Sequence, residues 1–417
     1  MSLRDFRKAG NPRTLLSAFL YFDVSFMVWV ILGPLGPFIG EAYHLSPAQK
    51  GLLTAVPLLG GAFFRPVLGW MTERFGGRKT GLIGLSLTLV PLMIAWQLAN
   101  NFPAFLGVGV LLGVAGASFA AALPLASGWY PPEHQGLAMG IAGAGNSGTL
   151  LSTLFAPRLA QAFGWHTVFG IAAVPVCIVW VLFFLLAKDS PVPRRVKKWS
   201  EYTALFKIAD TGWFCFLYSL TFGGFVGLSS YLSIFFHDQY NISKVHAGDF
   251  TTVVVLFGSF LRPVGGVLSD RIGGYRMLLV LLGGAATCLL VVATLPAVFV
   301  ALAFLAMAMG MLGMGNGSVF QLLPQRFADQ VGIMTGIVGA AGGVGGFLLP
   351  SLLGAVKGST GSFGIGFALL GLIAFSGALA LWRLKVVWRR TWPTRAALRA
   401  GLLGETELAA ESYATSS

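Results

Sequence analysis

Charge is what this chain has least of. Asp, Glu, Lys and Arg make up 10% of its 417 residues, where soluble domains carry about 25%, and that shortfall excludes a soluble globular protein. Cysteine is nearly absent: Cys177, Cys215 and Cys288 are scattered without CxxC spacing, which excludes a disulfide framework and offers no metal site. No nucleophile–base or metal-ligand constellation appears within the apolar stretches, so the expectation is a non-enzyme with no cofactor and no metal. Loops are short and no separate soluble domain is present, which argues against a membrane sensor or receptor. The apolar runs are continuous and too long for barrel strands, which excludes a β-barrel.

What the chain has instead is apolar length: 56% of residues are hydrophobic, and the mean hydropathy is +0.78. A helical span needs about 20 mostly apolar residues. Twelve such runs begin near Leu15, Gly51, Gly81, Phe102, Gly136, Thr167, Thr211, Ala247, Met277, Ala297, Gly332 and Phe363. Pro296 divides the ninth from the tenth. The first run is too long for a signal-peptide core and has no clear small-residue cleavage site, so it reads as a retained helix. The expected fold is an all-α, multi-pass membrane protein of twelve transmembrane helices.

The net charge of +13 does not imply nucleic acid, because its placement follows topology. If the N-terminus is cytoplasmic, 22 of the 28 Lys and Arg fall in cytoplasmic segments, and only Lys50, Arg158, Lys244 and Lys357 fall outside. This positive-inside bias places both termini in the cytoplasm, with the protein in the cell (inner) membrane.

Two basic residues lie within spans. Gly-Ala-Phe-Phe-Arg65-Pro-Val-Leu-Gly in the second is matched by Gly-Ser-Phe-Leu-Arg262-Pro-Val-Gly-Gly in the eighth, 197 positions later. An arginine at mid-membrane costs about 2.5–3.5 kcal/mol, so a matched pair indicates a cationic site that holds an anion. Aligning Gly61–Leu82 with Gly258–Leu279 gives ten identities in twenty-two positions. Six helices per half make the halves parallel repeats about an axis along the membrane normal. The expected units are a six-helix bundle (1–187), a cytoplasmic linker (188–209), a second bundle (210–388) and a cytoplasmic tail (389–417). Arg65 lies eight residues before Glu73, about 12 Å into a core about 30 Å thick.

Gly69-Trp-Met-Thr-Glu73-Arg74-Phe-Gly-Gly-Arg78-Lys79 and Gly266-Val-Leu-Ser-Asp270-Arg271-Ile-Gly-Gly-Tyr-Arg276 resemble the loop signature of the major facilitator superfamily. That resemblance implies that Glu73, Arg74, Asp270 and Arg271 help latch the cytoplasmic side. The fifth and eleventh helices carry rows of small residues, including Gly140 and Gly143, and Gly336 and Gly339. Such rows allow close helix packing and bare-backbone sliding. The stretches Gly-Ile-Ala-Gly-Ala-Gly-Asn146-Ser-Gly and Gly-Ile-Val-Gly-Ala-Ala-Gly-Gly resemble the signature motifs of the nitrate/nitrite porter family. The arginine pair, Gly-Ala-Ser-Phe119-Ala and Tyr218-Ser-Leu-Thr-Phe222-Gly also match that family. The likeness spans roughly residues 15–388, and the second glycine motif departs from the first by carrying Gly342 where Asn146 would align.

The resemblance implies a nitrate, and also nitrite, transporter working by alternating access. Arg65 and Arg262 hold the anion, Asn146 and Tyr218 add hydrogen bonds, and Phe119 and Phe222 shape the pocket. The chemistry agrees, because a planar guanidinium fork suits a planar oxyanion. Asp23, the acid within the first span, is the candidate for proton coupling, so nitrate/proton symport is the expectation. Nitrate/nitrite antiport is the alternative, and a larger organic-anion carrier of the same superfamily is a further one. Expected partners are nitrate, nitrite, protons and the lipid bilayer, with the protein a monomer.

Overall fold

The computed structural model describes residues 3–190 and 199–403; residues 191–198 of the expected linker and 404–417 of the tail lie outside the described residues. Twelve helical spans follow one another. They are α1 (Pro12–Trp29 and Leu32–Ala42), α2 (Pro47–Phe75), α3 (Gly77–Gln97) and α4 (Phe102–Gly116 and Phe119–Ser127). Next come α5 (Pro132–Gly143, a 3-10 turn Ala144–Ser147, then Gly148–Phe163), α6 (Trp165–Leu186), α7 (Ala209–Tyr240) and α8 (Lys244–Ile272). The last are α9 (Gly274–Ala293), α10 (Val298–Arg326), α11 (Val331–Thr360) and α12 (Phe363–Thr391). Eleven of these are long and apolar enough to cross a membrane, and α5 is the one divided by a 3-10 turn. Every expected start lies within four residues of an observed one.

The turns between paired helices follow from glycine. Gly76 and Gly273, which end α2 and α8, have φ of 99° and 90°, a backbone region essentially reserved for glycine. Those same residues lie within the two matched basic motifs. Both described chain ends lie at the end of the bundle that carries these turns. Phe6 stacks on Tyr130 at 4.6 Å, and Tyr275 N–H donates to Ala400 O at 2.9 Å. We call this the terminal end and the opposite one the distal end.

Helices α1–α6 and α7–α12 meet chiefly at the distal end. Gly51 packs against the α11 backbone at Pro350 and Gly354, Gly248 against Thr153 and Pro157 of α5, and Gly33 against Ser230 of α7. Ion pairs close the same face: Lys50–Asp238 at 2.6 Å, Arg158–Asp249 at 2.6 Å, and Lys244–Glu41. Every residue of α7 from Thr221 to Phe236 is buried, whereas its first two turns alternate between buried and accessible. Toward the terminal end, a Cβ added at Gly140, Gly143 or Gly336 would meet nothing within 4 Å. The halves therefore touch at the distal end and part at the terminal one.

Candidate functional site

Three helices break near the middle of the bundle, and each break exposes polar backbone where irregular chain is tolerated only if protein or a cavity surrounds it. In α1 the cause is Pro34, which has no N–H for Val30 O; Gly33 N–H donates there instead at 2.9 Å. In α4 the ladder tightens, with Ala120 N–H donating to Ala117 O at 3.0 Å. That shift leaves Gly116 O free, and Arg65 Nε donates to it at 3.1 Å. In α5 the 3-10 turn carries Asn146.

Arg65 is 3% exposed. Its Nη1 donates across the bundle to Gly339 O of α11. Its guanidinium carbon lies 5.2 Å from the Trp29 ring centroid, 5.9 Å from Phe119 and 4.9 Å from Phe222, within the range of cation–π attraction. The aromatic wall continues without a gap: Phe222 stacks on Tyr218 at 5.1 Å and lies 6.4 Å from Trp29, and Tyr218 meets Phe320 at 5.1 Å. Gly342 is the reason Tyr218 and Phe222 fit, since a Cβ there would lie 2.7 Å from the Tyr218 ring.

Arg262 faces the same centre. It is partly buried, lies within reach of the Tyr218 hydroxyl and is close enough to Arg65 for the two charges to interact. Its Nη1 is buried with no hydrogen-bond partner among the described residues. Arg65 and Arg262 each stand ten residues before the terminal end of their helix, a depth of roughly 15 Å. Two guanidinium groups at one depth, one with a donor that has no partner among the described residues, and aromatic faces around Arg65 have the chemistry to hold a small anion.

The other sequence-derived residues divide. Asn146 is 1% exposed, and with its amide nitrogen turned inward it donates to Gly143 O at 3.1 Å and Ala144 O at 3.3 Å, which ties it to its own turn. Asp23 Oδ1 accepts from Ser147 Oγ at 2.7 Å and from the Gly148 backbone, where the second segment of α5 begins. Gly339 contributes its carbonyl to the site, whereas Gly140, Gly143 and Gly336 face open space. Among the latch residues, Arg74 lies over Trp70 at 5.4 Å and Phe75 at 6.0 Å, Asp270 and Arg271 are exposed, and Glu73 is half-buried.

Sequence reasoning missed Trp29. It is fully buried and wedged between glycines: a Cβ at Gly116 would lie 2.1 Å from its indole, and one at Gly61 2.6 Å. Its Nε1 donates to Pro57 O at 2.6 Å. The available signal was weak, because a tryptophan in an apolar run normally reads as packing or lipid contact.

The chain matches the Major Facilitator Superfamily model over residues 17–350. It is 36% identical over 354 residues to the probable nitrate/nitrite transporter NarK2 of Mycobacterium tuberculosis, covering 83% of this chain and 89% of that one. It is 32% identical over 360 residues to the nitrite extrusion protein of Bacillus subtilis, covering 86% and 90%. Among solved structures, the crystal structure of D-xylose-proton symporter aligns with a TM-score of 0.75 at 16% identity, covering 89% of this chain and 97% of that one, a likeness of fold. The chain belongs to the major facilitator superfamily and, within it, to the nitrate/nitrite porter family.

Proposed function

We propose that this protein carries nitrate and nitrite across the cell membrane by alternating access, with the terminal end in the cytoplasm. The observation that carries the reading is the pair Arg65 and Arg262, set at one depth between the halves and walled by Trp29, Phe119, Tyr218 and Phe222. A guanidinium walled by aromatic rings suits a small planar anion better than a sugar phosphate, whose hydroxyls would find few partners there. The named relatives support the same substrates, and the basic terminal loops support the orientation.

Exchange of nitrate for nitrite is the coupling that the geometry favours. Arg65 and Arg262 are close enough for their charges to repel, and an anion on both legs of the cycle relieves that cost. Proton symport is the second reading, favoured by Asp23, whose carboxylate sits at the joint of α5 next to Asn146. Nitrate uptake into proteoliposomes decides between them. Acceleration by internal nitrite with no response to a pH gradient supports exchange, and the reverse supports symport. Absence of nitrate flux under both drives would overturn the transport reading itself, and competition by phosphate esters would replace nitrate with a larger organic anion as the substrate.

A further inference from the structure

Asn316 of α10 is a buried polar residue outside the arginine and aromatic constellation. It and Asn146 are the asparagines within the apolar runs. It is 0% exposed, and both its amide nitrogen and its amide oxygen lack any partner among the described residues. A buried amide left wholly unpaired is costly, and a native fold retains one where a ligand or water supplies the partner.

Its position says which ligand. Asn316 stands ten residues before the end of α10, the same distance that separates Arg65 and Arg262 from the same end of their own helices. Its neighbour Gly317 packs on Arg262 O, where a Cβ would lie at 2.7 Å. One turn later on the same face, Phe320 touches Tyr218 at 5.1 Å and Phe119 at 6.2 Å. One turn earlier, Leu312 lies against Gly224 of α7.

The internal repeat sharpens this. Gly113 crosses α2 at Gly60 and Gly61, and Gly313 crosses α8 at Gly258. Matching those crossings puts Asn316 at the place on α10 that Gly116 holds on α4. Gly116 O is the acceptor that fixes Arg65 Nε. By the repeat, the Asn316 amide falls at the equivalent place on the Arg262 side, and among the described residues both it and Arg262 Nη1 lack a partner. Gly342 stands where the repeat of Asn146 would fall, and Tyr218 and Phe222 leave no room for a side chain there.

We infer that Asn316 is a ligand of the transported anion, its Nδ2 donating to one nitrate oxygen while Arg262 Nη1 donates to another. α10 thereby supplies the amide that α11 cannot. The inference rests on the reading of the site as a nitrate/nitrite site.

Nitrate uptake kinetics and nitrate binding to purified protein test it, using Asn316→Leu and Asn316→Ser. Asn316→Leu keeps the volume and removes the donor, and a hydrogen bond to a charged group sets the expected loss at about ten- to a hundredfold in KM and Kd, with the maximal rate within about threefold. Asn316→Ser, with a shorter donor, falls between. An unchanged KM in either inserted variant overturns the assignment, as does a fall in maximal rate alone, which is what a packing role gives. If neither variant inserts, a nitrate-bound structure of the natural protein decides: Nδ2 within about 3.2 Å of the anion supports the assignment, and a greater separation overturns it. Natural protein that neither binds nor moves nitrate overturns the transport reading instead.

Discussion

Arg65 donates through Nη1 to the backbone carbonyl of Gly339, so a side chain of α2 is tied to the backbone of α11 at the middle of the bundle. Its Nε is held at the same time by Gly116 O of α4. Arg262, its mate in the repeat, has an Nη1 with no partner among the described residues. Two residues alike in sequence are therefore held differently: Arg65 is fixed at both Nε and Nη1, whereas Arg262 reaches Tyr218 and keeps a donor unengaged.

Arg65→Lys and Arg262→Lys are each expected to lower nitrate uptake at least about tenfold despite keeping the charge, because an ammonium has no planar fork. The kinetic signatures should differ. Arg262→Lys raises KM, having lost donors aimed at the anion. Arg65→Lys also lowers the maximal rate, since the tie to Gly339 joins the two halves. Robust uptake by a correctly inserted Arg262→Lys protein would count heavily against the site.

The spans and the arginine pair were legible because membrane insertion writes them directly into sequence, as apolar length and as an expensive charge repeated at a fixed offset. The helix breaks were not. Whether α4 continues through Gly116 depends on whether Arg65 claims its carbonyl, and a backbone oxygen has no letter in a sequence. The pairing of Asp23 with Ser147 was hidden for a similar reason. Asp23 stood out as the acid within a span, but its partner lies 124 positions away.

Trp29 is expected to set the posture of Arg65. Trp29→Phe keeps a ring near the guanidinium and removes the bond to Pro57 O, a loss of about 1 kcal/mol. Trp29→Ala empties the slot between Gly61 and Gly116, a change that costs about 3–5 kcal/mol in a packed core. Thermal unfolding in detergent should rank natural protein, Trp29→Phe and Trp29→Ala in that order. Nitrate KM should rise in the same order, and a flat KM across the series would remove Trp29 from the site.

The glycine rows separate into two experiments. Gly342→Ala puts a Cβ 2.7 Å from the Tyr218 ring, so nitrate binding should weaken in the conformation seen here. Gly140 and Gly336 have open space in this conformation, so Gly140→Leu and Gly336→Leu should bind nitrate normally. If the halves close on that end during the cycle, the added side chains obstruct closure, and transport should fall at least about tenfold with Kd unchanged. Full transport by both leucine variants would show that these faces never meet.

Asp23→Asn separates anchoring from proton coupling. The Asp23 carboxylate accepts from Ser147 Oγ at 2.7 Å and from the Gly148 backbone, at the N-terminus of the segment Gly148–Phe163. A carboxylate there gains about 0.3–1 kcal/mol from the helix dipole. Asparagine keeps an oxygen acceptor for Ser147 and gives up only the charge. If the acid serves as an anchor, nitrate/nitrite exchange in Asp23→Asn should stay within about threefold of the natural rate. Asp23→Ala, which removes the acceptor, should lower exchange and loosen α5. A proton-coupled carrier would differ in one readout: the natural protein would take up nitrate under a pH gradient alone, and Asp23→Asn would abolish that uptake. The packing makes the first outcome the expected one. Gly148 sits so close to α1 that a Cβ would lie 1.8 Å from Asp23 O, and a joint that tight favours a residue that holds one position through the cycle.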